Sequence, residues 1–278
     1  TAIDCIAAIA SKHEKIAVRI LHSHSSGNDC ESGLKRNLFN FIHKICRCFL
    51  YRYATKYCGC SVRAGEWMFP EKIVRSDRFE VIFNAVDREK YRYDEAVRQE
   101  VREELGLGGH FVVGHAGNFC YQKNHFFLLD VFEEICKKQP DAVLLLAGDG
   151  VRFEAVKEKV REKGLESSVR MLGRRPDVGR LYQAMDVFVL PSNFEGLPIA
   201  GIEAQSAGLP CFMSSRITEE SRITENCRFL PLETGAEEWA QEILGVQGER
   251  KAAVFLKNAD DYDLASQKRQ LLSLAENI

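Results

Sequence analysis

A chain of 278 residues with 45% hydrophobic content has enough apolar side chains for one large core or two modest ones, and two are expected here. Charged residues make up 28% and the net charge is -2, which argues against a partnership with nucleic acid driven by electrostatics. The charge is unevenly spread: residues 1–87 carry 13 Lys and Arg against 9 Asp and Glu, a surplus of +4, and the remainder carries -6.

In chain order, residues 16–21 read as a buried strand, 34–57 as a long helix and 58–62 as a second strand. Together they outline part of a doubly wound α/β domain over residues 1–87, with 84–87 as the crossover to the next. From residue 79 onward, short apolar runs alternate with longer amphipathic stretches, the pattern of a parallel sheet covered by helices. Strands are expected at 79–83, 111–114, 142–147, 169–172, 187–190 and 210–213. Several are continuous in Val, Leu and Ile, as strands buried on both faces must be. A helix at 94–105 aligns Val97, Val101 and Leu105 before Gly106 stops it. Another at 125–138 places Phe127, Leu128, Val131, Phe132 and Ile135 on one stripe, with Asn124 as its cap and Pro140 beyond its end. A second domain thus spans 88–255, and residues 256–278 form a terminal helix expected to pack back on the first domain.

Ten cysteines at irregular spacing fit the reduced thiols of a cytoplasmic protein better than a secreted disulfide framework. Cys46, Cys48, Cys58 and Cys60 form two Cys-x-Cys pairs, whereas structural zinc sites space paired ligands more widely, so core cysteine is the preferred reading and no metal is expected. No apolar run reaches the ~20 residues of a spanning helix. A soluble chain, or one peripheral at the inner face of a membrane, is expected. Residues 34–57 carry Lys35, Arg36, Lys44, Arg47, Arg52 and Lys56 with no acid between Glu31 and Glu66. Such a helix suits an anionic bilayer, or else lays its apolar face on the first domain's sheet.

Open parallel sheets bind ligands beyond the carboxyl ends of their strands. After the strand at 111–114 comes Gly114-His-Ala-Gly-Asn118, followed by Lys123 and Asn124 at the start of a helix. Glycines let main-chain amides approach a phosphate, and a helix N-terminus and a lysine both favour negative charge. After the strand at 142–147 comes Gly148-Asp149-Gly150. After 187–190 comes PSNFEGLPIAGIEAQSAGLP, in which Pro198 suits a first helical turn and Gly208 ends the helix. Glu203 then lies about 7 Å along the helix, at ~1.5 Å per residue, where it can accept two ribose hydroxyls. Glu195 precedes the helix, and the amides of Leu197 and Ile199 are placed to meet a diphosphate or a sugar. Neither a Walker motif nor an intact G-x-G-x-x-G is present, which disfavours kinases and dehydrogenases.

FVVGHAGNFCYQKNHFFLLDVF, DAVLLLAGDG and VRMLGRRPDVGRLYQAMDVFVLPSNFEGLPIAGIEAQSAGLP, in that order, closely resemble the retaining glycosyltransferases of family 4. RILHSHSS, CSVRAGEWMF and IFNAVD resemble the capsular and exopolysaccharide subgroup. The resemblance implies a GT-B fold of two Rossmann-like domains, the first incomplete at its N-terminus. It implies transfer of a sugar from a nucleotide-sugar, UDP-linked, to a saccharide or lipid-linked acceptor with retained configuration, and no cofactor or metal. Glu203 would hold the ribose and Glu195 the transferred sugar. Gly117, Asn118, Lys123, Gly148 and Arg174 would serve the donor, as would Gly196, Leu197, Pro198 and Ile199. A catalytic-region histidine is implied at His22 or His24. Asn118 stands where the family usually carries Arg, leaving Lys123 as the cation of that turn; a neutral donor is weaker than a charged one by about a factor of two. The rival readings are a non-catalytic remnant that still binds nucleotide-sugar, and a nucleotide-sugar epimerase on the same scaffold.

Overall fold

The computed structural model describes residues 5–30, 33–246, 250 and 252–276. The chain divides into two compact units. One comprises Thr1–Ala85, Phe194–Leu197 and Asp260–Ile278; the other comprises Val86–Asn193 and Pro198–Ala259.

The first unit begins with α1 (Cys5–His13), β1 (Ile20–Ser23), α2 (Leu34–Leu50) and β2 (Lys56–Gly59), continuing through α3 (Val62–Met68), α4 (Glu71–Val74) and β3 (Phe79–Val81). Its strands form a parallel sheet in the order β1-β2-β3, with Leu21 opposite Tyr57 and Tyr57 opposite Phe79. Phe69 packs edge-on against both Tyr57 and Phe79, and Leu50, Ala54 and Ile73 complete that core. β1 starts later than the run at 16–21 suggests. The reason is a clasp between Arg19 and Thr55, each backbone N–H reaching the other residue at 2.9 Å, which sets the sheet register and leaves Ile16 and Val18 exposed.

The helix expected over 34–57 ends at Leu50, and the chain turns through residues 51–53 so that Tyr57 enters the sheet fully buried. The second strand accordingly lies at Lys56–Gly59 rather than 58–62. α2 also packs the reverse of an ordinary amphipathic helix. His43 and Leu50 are buried, and Arg47 caps the carbonyls of Glu66 and Phe69. Leu34, Leu38, Phe41, Ile45 and Phe49, which share one stripe at helical spacing, are all exposed. Of the paired cysteines, Cys58 and Cys60 are buried as expected, but Cys46 is half-buried and Cys48 exposed, because they lie on α2's flank. Among the described residues no group of His, Cys, Asp and Glu could hold a metal ion, and no helix is long and apolar enough to cross a membrane.

The second unit runs α5 (Glu95–Glu104), β4 (Val112–Ala116), α6 (His125–Lys138), β5 (Val143–Ala147), α7 (Phe153–Glu162) and β6 (Val169–Gly173). It continues α8 (Val178–Ala184), β7 (Val187–Leu190), α9 (Ile199–Ser206), β8 (Cys211–Ser214), β9 (Cys227–Leu230) and α10 (Ala236–Leu244). The final helix, α11 (Leu264–Glu276), belongs to the first unit, where Leu274 packs with Cys58 and Ile82.

The six strands of the second unit are all parallel, in the order β6-β5-β4-β7-β8-β9. Alternate side chains feed opposite layers, as the period of two demands. Val112, Leu145 and Phe188 join one core with Leu181, Tyr182 and Ala204. Val113, Leu144, Leu146 and Val189 join the other with Leu128, Phe132 and Trp239. α6 matches the expected 125–138, although Asn124 does not cap it: Asn124 sits in the left-handed region (φ 55°) and its side-chain amide instead donates to the Pro191 carbonyl at 3.1 Å.

Candidate functional site

The strand order of the second unit reverses between β4 and β7, the switch point at which such sheets bind ligands. A cavity of about 540 Å³ opens at the carboxyl ends of β4, β5 and β6. The turns that follow the strands are tied to one another: Gly117 N–H donates to the Ala147 carbonyl at 3.0 Å, Phe119 N–H to Asp149 at 2.9 Å and Gly148 N–H to Gly173 at 2.8 Å. Gly148 (φ 141°) and Gly150 (φ 154°) adopt backbone conformations that side chains disfavour, which lets the two loops approach.

The opposite wall is the start of α9. Pro198 occupies the N-cap position, and Ile199 and Ala200, whose amides are among those an α-helix leaves without intrahelical partners, line the cavity. Arg174 adds a guanidinium at the rim, exposed and without an ion-pair partner among the described residues. A helix N-terminus and a cation, at a cavity that the tight glycine turns leave open, are features that suit an anion.

Glu203 is the fifth residue of α9 and lines the same cavity. Its Oε1 accepts the Tyr91 hydroxyl at 2.7 Å and its Oε2 accepts the Tyr182 hydroxyl at 2.9 Å. Burial, reinforced by the neighbouring Glu203, raises both phenol pKa values, so both stay protonated donors at neutral pH. Behind the Gly117 turn lie His115 and His125, with ring centroids 4.7 Å apart. Burial lowers His115 to about 4 and His125 to about 2, so both are neutral at pH 7. Lys123 runs beside the turn, its Cε 3.0 Å from where a Cβ on Gly117 would stand.

Glu195, Gly196 and Leu197 belong to the first unit, as do His22 and His24. There the Ser26 hydroxyl donates to the Glu195 carbonyl at 2.5 Å, and the Ser61 hydroxyl, which also caps α3, donates to the Gly196 carbonyl at 2.6 Å. The His22 and His24 rings lie 4.1 Å apart, and burial, then the charge of His24, lowers His22 to about 4. The second unit thus brings Gly117, Asn118, Gly148, Arg174, Ile199 and Glu203 around one cavity, with Lys123 and Pro198 beside it. Sequence reasoning missed Tyr91 and Tyr182. Tyr182, on a helix before a buried strand, reads as core, Tyr91 stands in a charged stretch before α5, and nothing local marks either as a partner of Glu203.

A doubly wound parallel sheet, with a cavity at its switch point built from glycine turns and an acid-bearing helix, defines a unit of the Rossmann type. The chain belongs to the family described as glycosyl transferases group 1, which matches residues 97–245, more than half of its length. It is 31% identical over 214 residues to a putative glycosyltransferase, EpsF, of Bacillus subtilis, covering 77% of this chain and 55% of that protein. It is 32% identical over 187 residues to an Escherichia coli UDP-Gal:alpha-D-GlcNAc-diphosphoundecaprenol alpha-1,3-galactosyltransferase, covering 65% of this chain and 48% of that one. The chain therefore spans about half the length of these curated relatives. Among solved structures, Anabaena Alr3699/HepE in complex with UDP and glucose superposes with a TM-score of 0.81 at 20% identity, over all of this chain and 76% of that one. Sucrose-phosphate synthase of Thermosynechococcus elongatus gives 0.74 at 16% identity, over 98% and 71%. The fold is that of the GT-B glycosyltransferases.

Proposed function

We propose that the chain is part of a retaining glycosyltransferase of the family 4 type, moving a sugar from a UDP-sugar to a hydroxyl of a saccharide or lipid-linked acceptor in surface polysaccharide synthesis. The observation that carries this reading is the 540 Å³ cavity in which glycine turns, the start of α9 and Glu203 converge. In this reading Glu203 takes the ribose hydroxyls, while the first amides of α9, Asn118, Lys123 and Arg174 meet the diphosphate. The bond between the anomeric carbon and the diphosphate oxygen breaks, and the acceptor oxygen takes its place on the same face. The departing diphosphate gains negative charge, and donors already in position stabilise that charge without reorganising. The acceptor hydroxyl gives up its proton to the leaving phosphate. Glu195 and a histidine, His22 or His24, are the residues that the family resemblance assigns to the transferred sugar and the catalytic region. The UDP complexes of Anabaena HepE and the UDP-Gal in the name of the Escherichia coli relative support a uridine carrier.

Calorimetry with UDP and a panel of UDP-sugars tests the donor, and an assay with saccharide acceptors tests transfer. Binding without turnover would favour a non-catalytic remnant; an altered sugar released without acceptor would favour an epimerase. A lipid-linked acceptor would also suit the exposed stripe of α2, flanked by Lys35 and Lys44, lying on the anionic inner face of a membrane. Co-sedimentation with anionic but not neutral vesicles is expected, and an equal distribution would remove the membrane from this account.

A further inference from the structure

Glu203 forms part of the wall of two cavities. One is the 540 Å³ cavity described above; the other, of about 960 Å³, lies on the side of Tyr91 and is lined by that residue, Asp177 and Arg180 as well as by Glu203. A glutamate side chain has soft terminal torsions and several rotamers, so a carboxylate between two spaces needs something to choose its direction. Two phenols supply it. Tyr182, fully buried on α8, donates to Oε2 from the side of the first cavity, and Tyr91 donates to Oε1 from the side of the second.

Tyr91 is itself held. It ends the short 3-10 turn Arg88–Tyr91, and the buried Gln183 grips the chain there: its side-chain amide donates to the carbonyls of Tyr91 and Arg92 at 3.2 and 3.3 Å, and its oxygen accepts the Asp94 N–H at 3.2 Å. The two tyrosine rings meet edge to face with centroids 5.9 Å apart. An ionised carboxylate offers about four lone-pair sites on two oxygens. With one phenol on each oxygen, each keeps one further site, which matches the two hydroxyls of a cis-diol.

We propose that Tyr91 and Tyr182 are positioning residues that lock the Glu203 carboxylate in the geometry needed to accept a ribose cis-diol, and so set discrimination against 2′-deoxyribose nucleotides. Neither tyrosine touches the ribose in this scheme; both act through Glu203. The inference rests on the donor-site reading given above.

The test compares UDP and 2′-deoxy-UDP binding by calorimetry in the wild type, Tyr91→Phe and Tyr182→Phe, with thermal melts to confirm folding. The wild type is expected to prefer UDP by about tenfold or more, and either substitution to shrink that preference to about threefold or less, with most of the loss falling on UDP. A tyrosine that serves only packing would weaken both nucleotides equally and leave the ratio unchanged; that result overturns the inference. Should Tyr182→Phe fail to fold, the half-buried Tyr91 carries the test alone. Wild-type protein that binds both nucleotides equally would overturn the inference and leave the donor site standing, whereas wild-type protein that binds no UDP would overturn the donor reading and this inference with it.

Discussion

A Cβ built on Gly148 would stand 1.9 Å from the carbonyl oxygen of Gly117. The turn after β5 therefore passes within backbone contact of the turn after β4, and the cavity floor depends on that approach. Gly148→Ala would meet both a main-chain collision and an unfavourable φ of 141°, a strain of about 1–3 kcal/mol before any displacement of the loop. UDP affinity is expected to fall about tenfold or more, with a lower melting temperature. Unchanged values of both would show that the two turns are not coupled.

The acids on either side of Pro198 are expected to fail differently. Glu203→Ala should weaken UDP binding, because hydrogen bonds to a charged group contribute about 1.5–3 kcal/mol. Glu195→Ala should leave UDP affinity within about threefold and lower the transfer rate. Equal losses of UDP affinity in the two variants would contradict this division of roles.

His115 and His125 make the second unit acid-sensitive. In the unfolded chain both take up protons near their ordinary value of 6.5, whereas folding depresses them to about 4 and about 2, chiefly by burial. Between pH 6.5 and 4 the unfolded state binds more protons, so stability falls as pH falls, approaching about 1.4 kcal/mol per pH unit for each histidine. Neither ring nitrogen of His125 has a hydrogen-bond partner among the described residues, and the ring stacks on Phe119 at 4.1 Å. Urea melts at pH 7 and pH 5 should therefore show a shallower loss for His125→Phe than for the wild type. Identical losses would remove His125 from the explanation.

At the amino ends of the strands, Asp186 accepts the Val112 N–H at 2.7 Å and pairs with Arg98 at 2.5 Å and Arg102 at 3.4 Å. Asp186→Asn is expected to destabilise the unit by about 2–4 kcal/mol, somewhat less than the loss of a fully buried pair. Asp186 does not line the 540 Å³ cavity, so the folded variant should bind UDP as the wild type does. A changed UDP affinity alongside an unchanged melting temperature would contradict that separation.

Elements with strong local punctuation were legible in the sequence. β7 lies at 187–190 and α6 at 125–138 as read, because apolar runs and end signals agree there. β9 is not legible: it is a four-residue edge strand with an exposed Arg228, too short and mixed to stand out. The end of α2 is not legible, because its pattern continues past Leu50 and only the pairing of β2 with β1 and β3 reveals the break. Glycine turns and the acid-bearing helix could be read because each sits within one loop. The Tyr91 contact to Glu203 spans 112 positions of sequence and depends on the Gln183 grip on a 3-10 turn, which no local pattern announces.

In the proposed function the cavity of the second unit receives the nucleoside diphosphate of a sugar donor. Calorimetric titration of UDP into the wild type and into Glu203→Ala decides the matter. Saturable binding of one UDP per chain is expected, weakened about 10- to 100-fold by the substitution, in line with the loss of hydrogen bonds to a charged group. Wild-type protein that takes up no UDP, or a Glu203→Ala variant that folds and binds UDP as tightly as the wild type, would contradict it.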